Sequence, residues 1–285
     1  MTFSFVGRSA DGSALGVAVA SKFLAAGAYV PAAASDAGAL ATQAYVNLAL
    51  KTRGLELLRE GASAPDLLGR FFADDPQGDQ RQAGVVDRDG RAATYTGERC
   101  QPWAGGITGE GPEGSFAAQG NMIAGPAVLE AMADVWRATA SSTSGPSFAR
   151  RLVAALAAGQ EQGGDPRGKQ AAAVLVVSPG GGYGGLSDVV VDLRSDDSPE
   201  PIGELQRMLD LHDLYFGSTP EADLLGYDEA LLAELTERLA RTGYASGDPR
   251  RDLYDWMGRE NFEERWHDHR LDPVVLAQLR TATGG

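Results

Sequence analysis

A threonine stands directly behind the initiator methionine, and no histidine precedes His212 in the 285-residue chain. A small second residue such as Thr2 normally lets Met1 be removed. The product is a hydroxyl and a free α-amine on one residue. An α-amine titrates at about 7.7–8.0, so it can serve as a base near neutrality. Thr paired with its own N-terminal amine is one way of activating an alcohol nucleophile. Without an upstream histidine, a Ser-His pair has no source in this region. The alternative is that Thr2 is simply a β-former in a first strand.

The lone Cys100 is the rival nucleophile. Its only near basic neighbour is Arg99, so thiolate activation lacks a visible source. A single cysteine also excludes an internal disulfide framework and thiolate-rich zinc sites. His267 and His269 flank one Asp without nearby thiols and read as surface residues. No metal and no cofactor are expected. The loop Pro179–Gly185 is rich in glycine but lacks the Lys-Ser/Thr of a phosphate loop, so it reads as a strand connection.

A formal charge of −14 argues against nucleic acid or an anionic membrane as partner. Hydrophobic content is 43%. No stretch approaches the roughly 18 apolar residues of a span. No secretory signal is visible, and a cytoplasmic location is expected.

The elements that must position Thr2 follow from periodicity. In Thr2–Val6, Phe3 and Phe5 share one face, and Thr2 and Ser4 the other. Asp11-Gly12 signals a hairpin turn, and Gly16–Ser21 returns as a second strand. Short strands follow near 28–31 and 39–43. Helices are expected over 47–60 and from a Ser63 cap through Phe72. Gln82–Asp87 and Arg91–Tyr95 form a hairpin. Gly97–Gly114 reads as a glycine-rich loop before a short strand to Gln119. Helices over 126–138 and 146–158, strands over 171–177 and 188–193 and a helix from Pro201 complete the order. Adjacent strands separated by helix pairs indicate an α+β fold with antiparallel sheets covered by helices. A four-layer α-β-β-α sandwich fits. The break at Gly217–Pro220 divides a domain over 1–217 from a small helical module over 224–285.

The strings Thr2-Phe-Ser-Phe-Val, Gly16-Val-Ala-Val-Ala-Ser-Lys22, Ala41-Thr-Gln-Ala-Tyr45, Cys100-Gln-Pro-Trp-Ala-Gly105 and Gln119-Gly-Asn-Met122 resemble the bacterial and archaeal domain-of-unknown-function family 1028. That family is grouped with the N-terminal nucleophile hydrolases, whose fold is the same four-layer sandwich. The resemblance implies a mechanism class and no substrate. In that superfamily the first residue of the mature chain ends an inner strand, as Thr2 does. Threonine peptidases of the superfamily carry an acidic residue near the end of the second strand; this chain has Ala20-Ser21-Lys22. Lys22 can lower the amine pKa or serve as a structural ion pair. Gly120 and Asn121 are the oxyanion candidates, because amidase relatives use Gly and Asn this way. Asn121 can equally cap a turn.

Gln43, Asn47 and Gln170 are polar residues at strand ends or helix starts. They can bind an amide or carboxylate, or satisfy buried backbone. Trp103 can wall a pocket, or serve at an interface or in a core. Segments 224–244, 258–265 and 271–276 resemble a peptidoglycan-binding module attached to some family members.

The resulting expectation is a cofactor-independent amide hydrolase. Thr2, Lys22 and Asn121 are its catalytic candidates; Gln43, Asn47, Gly120 and Gln170 are its substrate-binding candidates. Its partner would be a small-molecule amide or a peptidoglycan fragment, and a homo-oligomer is expected. The competing class is a non-catalytic binding or assembly protein on the same fold.

Overall fold

The computed structural model describes residues 2–139 and 145–284. In chain order the first unit contains β1 (Thr2–Arg8), β2 (Leu15–Ser21), α1 (Ala26–Tyr29), β3 (Pro31–Ala34), β4 (Gly38–Ala44), α2 (Ala49–Arg59) and α3 (Ala64–Ala73). It continues with β5 (Arg81–Asp87), β6 (Ala92–Thr96), β7 (Ala104–Gly111), β8 (Gly114–Asn121), α4 (Ala127–Ala138) and α5 (Gly145–Glu161). β9 (Ala171–Val177), β10 (Val189–Ser195) and α6 (Pro201–Phe216) follow. Two antiparallel sheets result, one of order β10-β9-β2-β1-β8-β7 and one of order β3-β4-β5-β6.

The alternation in β1 builds the interior. Phe3 and Phe5 enter a core with Leu129, Met132 and Trp136 of α4 and Leu152 of α5. Val6 enters a second core with Val17 and Val19 of the same sheet and Ala39, Ala41 and Val86 of the other. The smaller sheet turns Leu40, Ala83 and Val85 toward Leu50, Leu58 and Leu67 of α2 and α3, in a third core. As the sequence indicates, Ser63 caps α3, accepting from the Asp66 N–H at 3.2 Å.

Two expectations fail. The strand expected near 28–31 gives way to α1, and β3 begins only at Pro31. Within the supposed loop, Ala104–Gly111 forms β7 and pairs along its whole length with β8. Its glycines do not make turns; they make room. A Cβ on Gly105 would stand 2.7 Å from Trp103, on Gly106 2.6 Å from Thr94, and on Gly109 2.3 Å from Phe116. Glycine in a strand often marks such close approaches.

The chain separates into two compact units, Met1–Leu209 and Asp210–Gly285. The division falls inside α6, ahead of the break at Gly217. The second unit contains β11 (Leu225–Gly226), α7 (Glu229–Arg241), α8 (Pro249–Arg259), β12 (Arg270–Leu271) and α9 (Pro273–Ala282). These pack Leu235, Leu253, Trp256 and Leu279 into a core of their own. Among the described residues, no helix is long and apolar enough to cross a membrane.

Candidate active site

β1 lies between β2 and β8, so Thr2 has a partner on either side: Ser21 across one ladder and Asn121 across the other. The Thr2 and Ser21 hydroxyls lie 3.0 Å apart. All three residues end their strand segments at the same edge. Thr2, Ser21 and Asn121 line a cleft of about 310 Å³, together with Lys22 and Arg167. Phe23, Tyr29, Val30, Tyr45 and Val46 form its apolar wall. Thr2 itself is nearly buried. Removal of Met1 lies outside the described residues.

A polar network underlies the cleft, between the two sheets. Ser4, Gln43, Gln82 and Gln119 are all fully buried. The Gln82 amide nitrogen donates to the carbonyls of Gly120 at 2.8 Å and Gly105 at 3.1 Å. Carbonyls only accept, so Oε1 of Gln82 must point the other way. There it accepts from Asn121 Nδ2 at 2.9 Å and from Gln43 Nε2 at 2.8 Å. Gln43 also donates to the Thr2 carbonyl at 3.3 Å. Its oxygen accepts from Ser4 at 2.6 Å. Ser4 in turn accepts from Gln119 Nε2 at 2.6 Å. Gln119 is accommodated because Gly84 opposite it has no side chain; a Cβ there would stand 1.8 Å from Gln119 Oε1. The network therefore holds both the Thr2 backbone and the Asn121 amide from below.

The cleft walls are held as well. Ala44 ends β4 with φ of 64°, and Met122 follows Asn121 with φ of 57°. For residues with a Cβ this left-handed conformation costs roughly 1–2 kcal/mol each, and such strain concentrates at functional sites. Arg81 braces the turn after Ala44. Its guanidinium donates to the Val46 carbonyl at 3.1 Å and lies 4.9 Å from the Tyr45 ring centre. A nearly buried ion pair to Asp75 at 3.1 Å fixes that guanidinium.

The other candidates sort by position. Lys22 reaches the cleft, but its ammonium donates to the Lys169 carbonyl at 3.3 Å. Gln43 lies beneath the cleft. Asn47 is elsewhere: its oxygen accepts from the Ala49 N–H at 3.1 Å at the start of α2, and its amide donates to Asp75 at 2.7 Å. Gln170 donates to Asp197 at 3.1 Å, away from the cleft. Gly120 sits between Phe3 and Gly105 in mid-sheet, covered by Ile123. Trp103 packs on Gly105 and the α4–α5 core rather than walling the cleft. Cys100 lies outside it, and burial pushes its thiol pKa up, away from thiolate chemistry. No group of three or more His, Cys, Asp or Glu suited to a metal occurs among the described residues.

Sequence reading missed Ser21 as a partner of Thr2, and it missed Arg167. Arg167 lies 165 residues from Thr2 in sequence and carries no local signature. The segment before β9 brings it in. Asp165 anchors that segment, its Oδ2 accepting from the Lys22 N–H at 3.1 Å. The Arg167 side chain folds back onto the same carboxylate at 3.2 Å.

No curated protein matches the chain. A crystal structure of a Silicibacter pomeroyi protein assigned to DUF1028 is similar, with a TM-score of 0.63 and 30% identity over 77% of this chain and 90% of that one. The family described as "Family of unknown function (DUF1028)" matches residues 2–205. That span covers β1 to β10, the cleft and the network beneath it, and the chain belongs to the DUF1028 family.

Proposed function

We propose that this protein is an amide-bond hydrolase whose nucleophile is Thr2, exposed as the N-terminal residue once Met1 is removed. The observation that carries the reading is the convergence at one sheet edge. The Thr2 hydroxyl stands 3.0 Å from the Ser21 hydroxyl, with Asn121 opposite, inside a cleft. The three stacked cores, helix on sheet, sheet on sheet and sheet on helix, support assignment to the four-layer sandwich of N-terminal nucleophile hydrolases.

In this mechanism Oγ1 of Thr2 attacks the substrate carbonyl. Its proton passes to the α-amine of the same residue, which returns one to the departing nitrogen. The C–N bond breaks and a Thr2 ester remains. Water, deprotonated by the same amine, hydrolyses the ester and restores the hydroxyl. The Asn121 side chain stabilises the developing oxyanion, the kind of donor worth about 2.7–4 kcal/mol of transition-state stabilisation. One of its two N–H groups faces Gln82. That bond fixes the amide plane and leaves the second N–H for the substrate.

The test combines intact mass with turnover. Mature protein should lack Met1. Thr2→Ala should release no amine from a panel of small amides and keep its melting temperature, while Thr2→Ser should retain part of the rate. Met1 fully retained on active enzyme, or an active Thr2→Ala, would overturn the mechanism. If no amide is turned over by the Met-free protein, the binding or assembly reading of the same fold takes its place.

A further inference from the structure

The Thr2 cleft runs against the electrostatics of the molecule that holds it. The chain carries 39 acidic and 25 basic residues. Yet among the described residues the charged side chains lining this cleft are Lys22 and Arg167, both cationic, and no carboxylate lines it. The acid that balances Arg167 lies behind it. Asp165 is almost wholly buried, whereas the Arg167 side chain is 43% exposed. Asp165 is also committed to the main chain, accepting from the N–H groups of Lys22 at 3.1 Å and Arg167 at 2.8 Å. A cation oriented in advance by a buried carboxylate loses little freedom on meeting an anion.

Apart from Thr2, Ser21 and Asn121, the remainder of the lining is apolar or aromatic. Phe23, Tyr29 and Tyr45 are 55%, 41% and 56% exposed, and exposed rings gathered at one cleft mark a binding surface. Phe23 and Tyr29 meet edge to face with ring centres 5.8 Å apart. The Tyr45 ring is backed by the Arg81 guanidinium. All three rings line the cleft, Tyr45 braced by a cation and Phe23 and Tyr29 by each other. Two cationic side chains, Lys22 with its ammonium turned to the Lys169 carbonyl and Arg167 held from behind by Asp165, stand with three aromatic rings around about 310 Å³, which matches a small molecule with an anionic end and a flat apolar end.

We propose that the cleft binds a small carboxylate in which an acyl group is joined to an amino acid. Arg167 takes the carboxylate, and Phe23, Tyr29 and Tyr45 hold the acyl group. This deepens the hydrolase reading and rests on it for which bond is cut; the binding preference itself requires no catalysis.

The probes are N-acetylglycine, N-benzoylglycine and N-naphthoylglycine, each compared with its neutral glycinamide. Calorimetric titration uses Thr2→Ala protein, so that nothing is consumed. Each acid should bind about tenfold or more tightly than its amide, the scale of one charge-assisted contact. Affinity should rise from acetyl to the aromatic acyl groups. Arg167→Gln should erase the acid preference and keep the acyl ranking, and Arg167→Lys should restore part of the preference. If Arg167→Gln does not fold, the Arg167 Nε resonance decides: it should shift with acid and not with amide. No acid preference anywhere in the panel, or a preference that survives Arg167→Gln, overturns the proposal. Turnover of the same compounds by Thr2-intact protein separates the two claims. An Arg167-dependent acid preference without cleavage removes the hydrolase reading alone. Cleavage of acid and amide alike removes this proposal alone.

Discussion

Thr2 and Ser21 face each other across the β1–β2 ladder with their hydroxyls 3.0 Å apart. Their partnership is set by strand register: the turn around Asp11-Gly12 closes a hairpin that brings the last residue of β2 level with the first described residue of β1. A one-residue slip would turn Ser21 to the opposite face. In the proposed mechanism the Ser21 hydroxyl orients Thr2 and passes a proton, but it adds no charge.

Ser21→Ala should lower kcat by about tenfold or less, the value of one neutral hydrogen bond. Strand pairing should survive, with a melting temperature close to that of the parent. Single-turnover rates on any amide substrate measure this. An unchanged rate would assign the contact to structure alone.

Asn121→Ala should reduce kcat by roughly a hundredfold or more if the amide stabilises an oxyanion. It should also cost about 1 kcal/mol of stability, because the buried bond to Gln82 at 2.9 Å is lost. Urea unfolding alongside turnover separates the two effects. A large stability loss with unchanged kcat would reduce Asn121 to a structural cap.

Gly84→Ala should destabilise the first unit by about 1–3 kcal/mol, the usual scale of overpacking. The new methyl would meet Gln119 Oε1 at 1.8 Å, and the glutamine is fully buried and bonded to Ser4. Thermal unfolding measures the loss. A paired Gly84→Ala/Gln119→Ala variant should recover part of it, because the clashing side chain is then gone.

The second unit should respond to acid through Glu234. This carboxylate is gripped by Arg280 at 2.8 Å and by Arg238 at 2.7 Å. Its hydrogen bonds to Arg280, then Arg238, hold its pKa down at about 2, against an ordinary 4.5. A depressed carboxylate stabilises the fold above its unfolded pKa, and the contribution is lost as pH falls through the folded one. Glu234→Gln should therefore cost about 1 kcal/mol at neutral pH, given its partial exposure. The difference should shrink below pH 4.5 and vanish near 2. Urea titrations followed at the buried Leu279 methyls, across this range, measure it. A gap that stays constant with pH would deny the ion pair its role.

The amino-acid sequence by itself determined the local order. Alternation in Thr2–Val6 assigned Phe3 and Phe5 to one face and Thr2 and Ser4 to the other, and the cores divide in that way. Side-chain periodicity is a local property, so it can be read without knowing the partner strand. Thr2 was singled out by its place behind Met1 and Asn121 by the family resemblance, and the fold sets the two opposite each other across the β1–β8 ladder. Tertiary structure decided what lies across from them. Gln43 looked like a ligand-binding residue and instead ties the Thr2 carbonyl to Gln82, because a residue's role between two sheets depends on the opposing sheet. Asn47, Gly120 and Gln170 were drawn off by Asp75, Ile123 and Asp197, neighbours remote or unmarked in sequence. β7 was mistaken for a loop because glycine composition signals turns, while packing here uses glycine for space. Arg167 was invisible until the segment held by Asp165 laid it beside Thr2. A single arginine has no periodicity to betray it, and only the folded path of the chain brings its charge to the cleft.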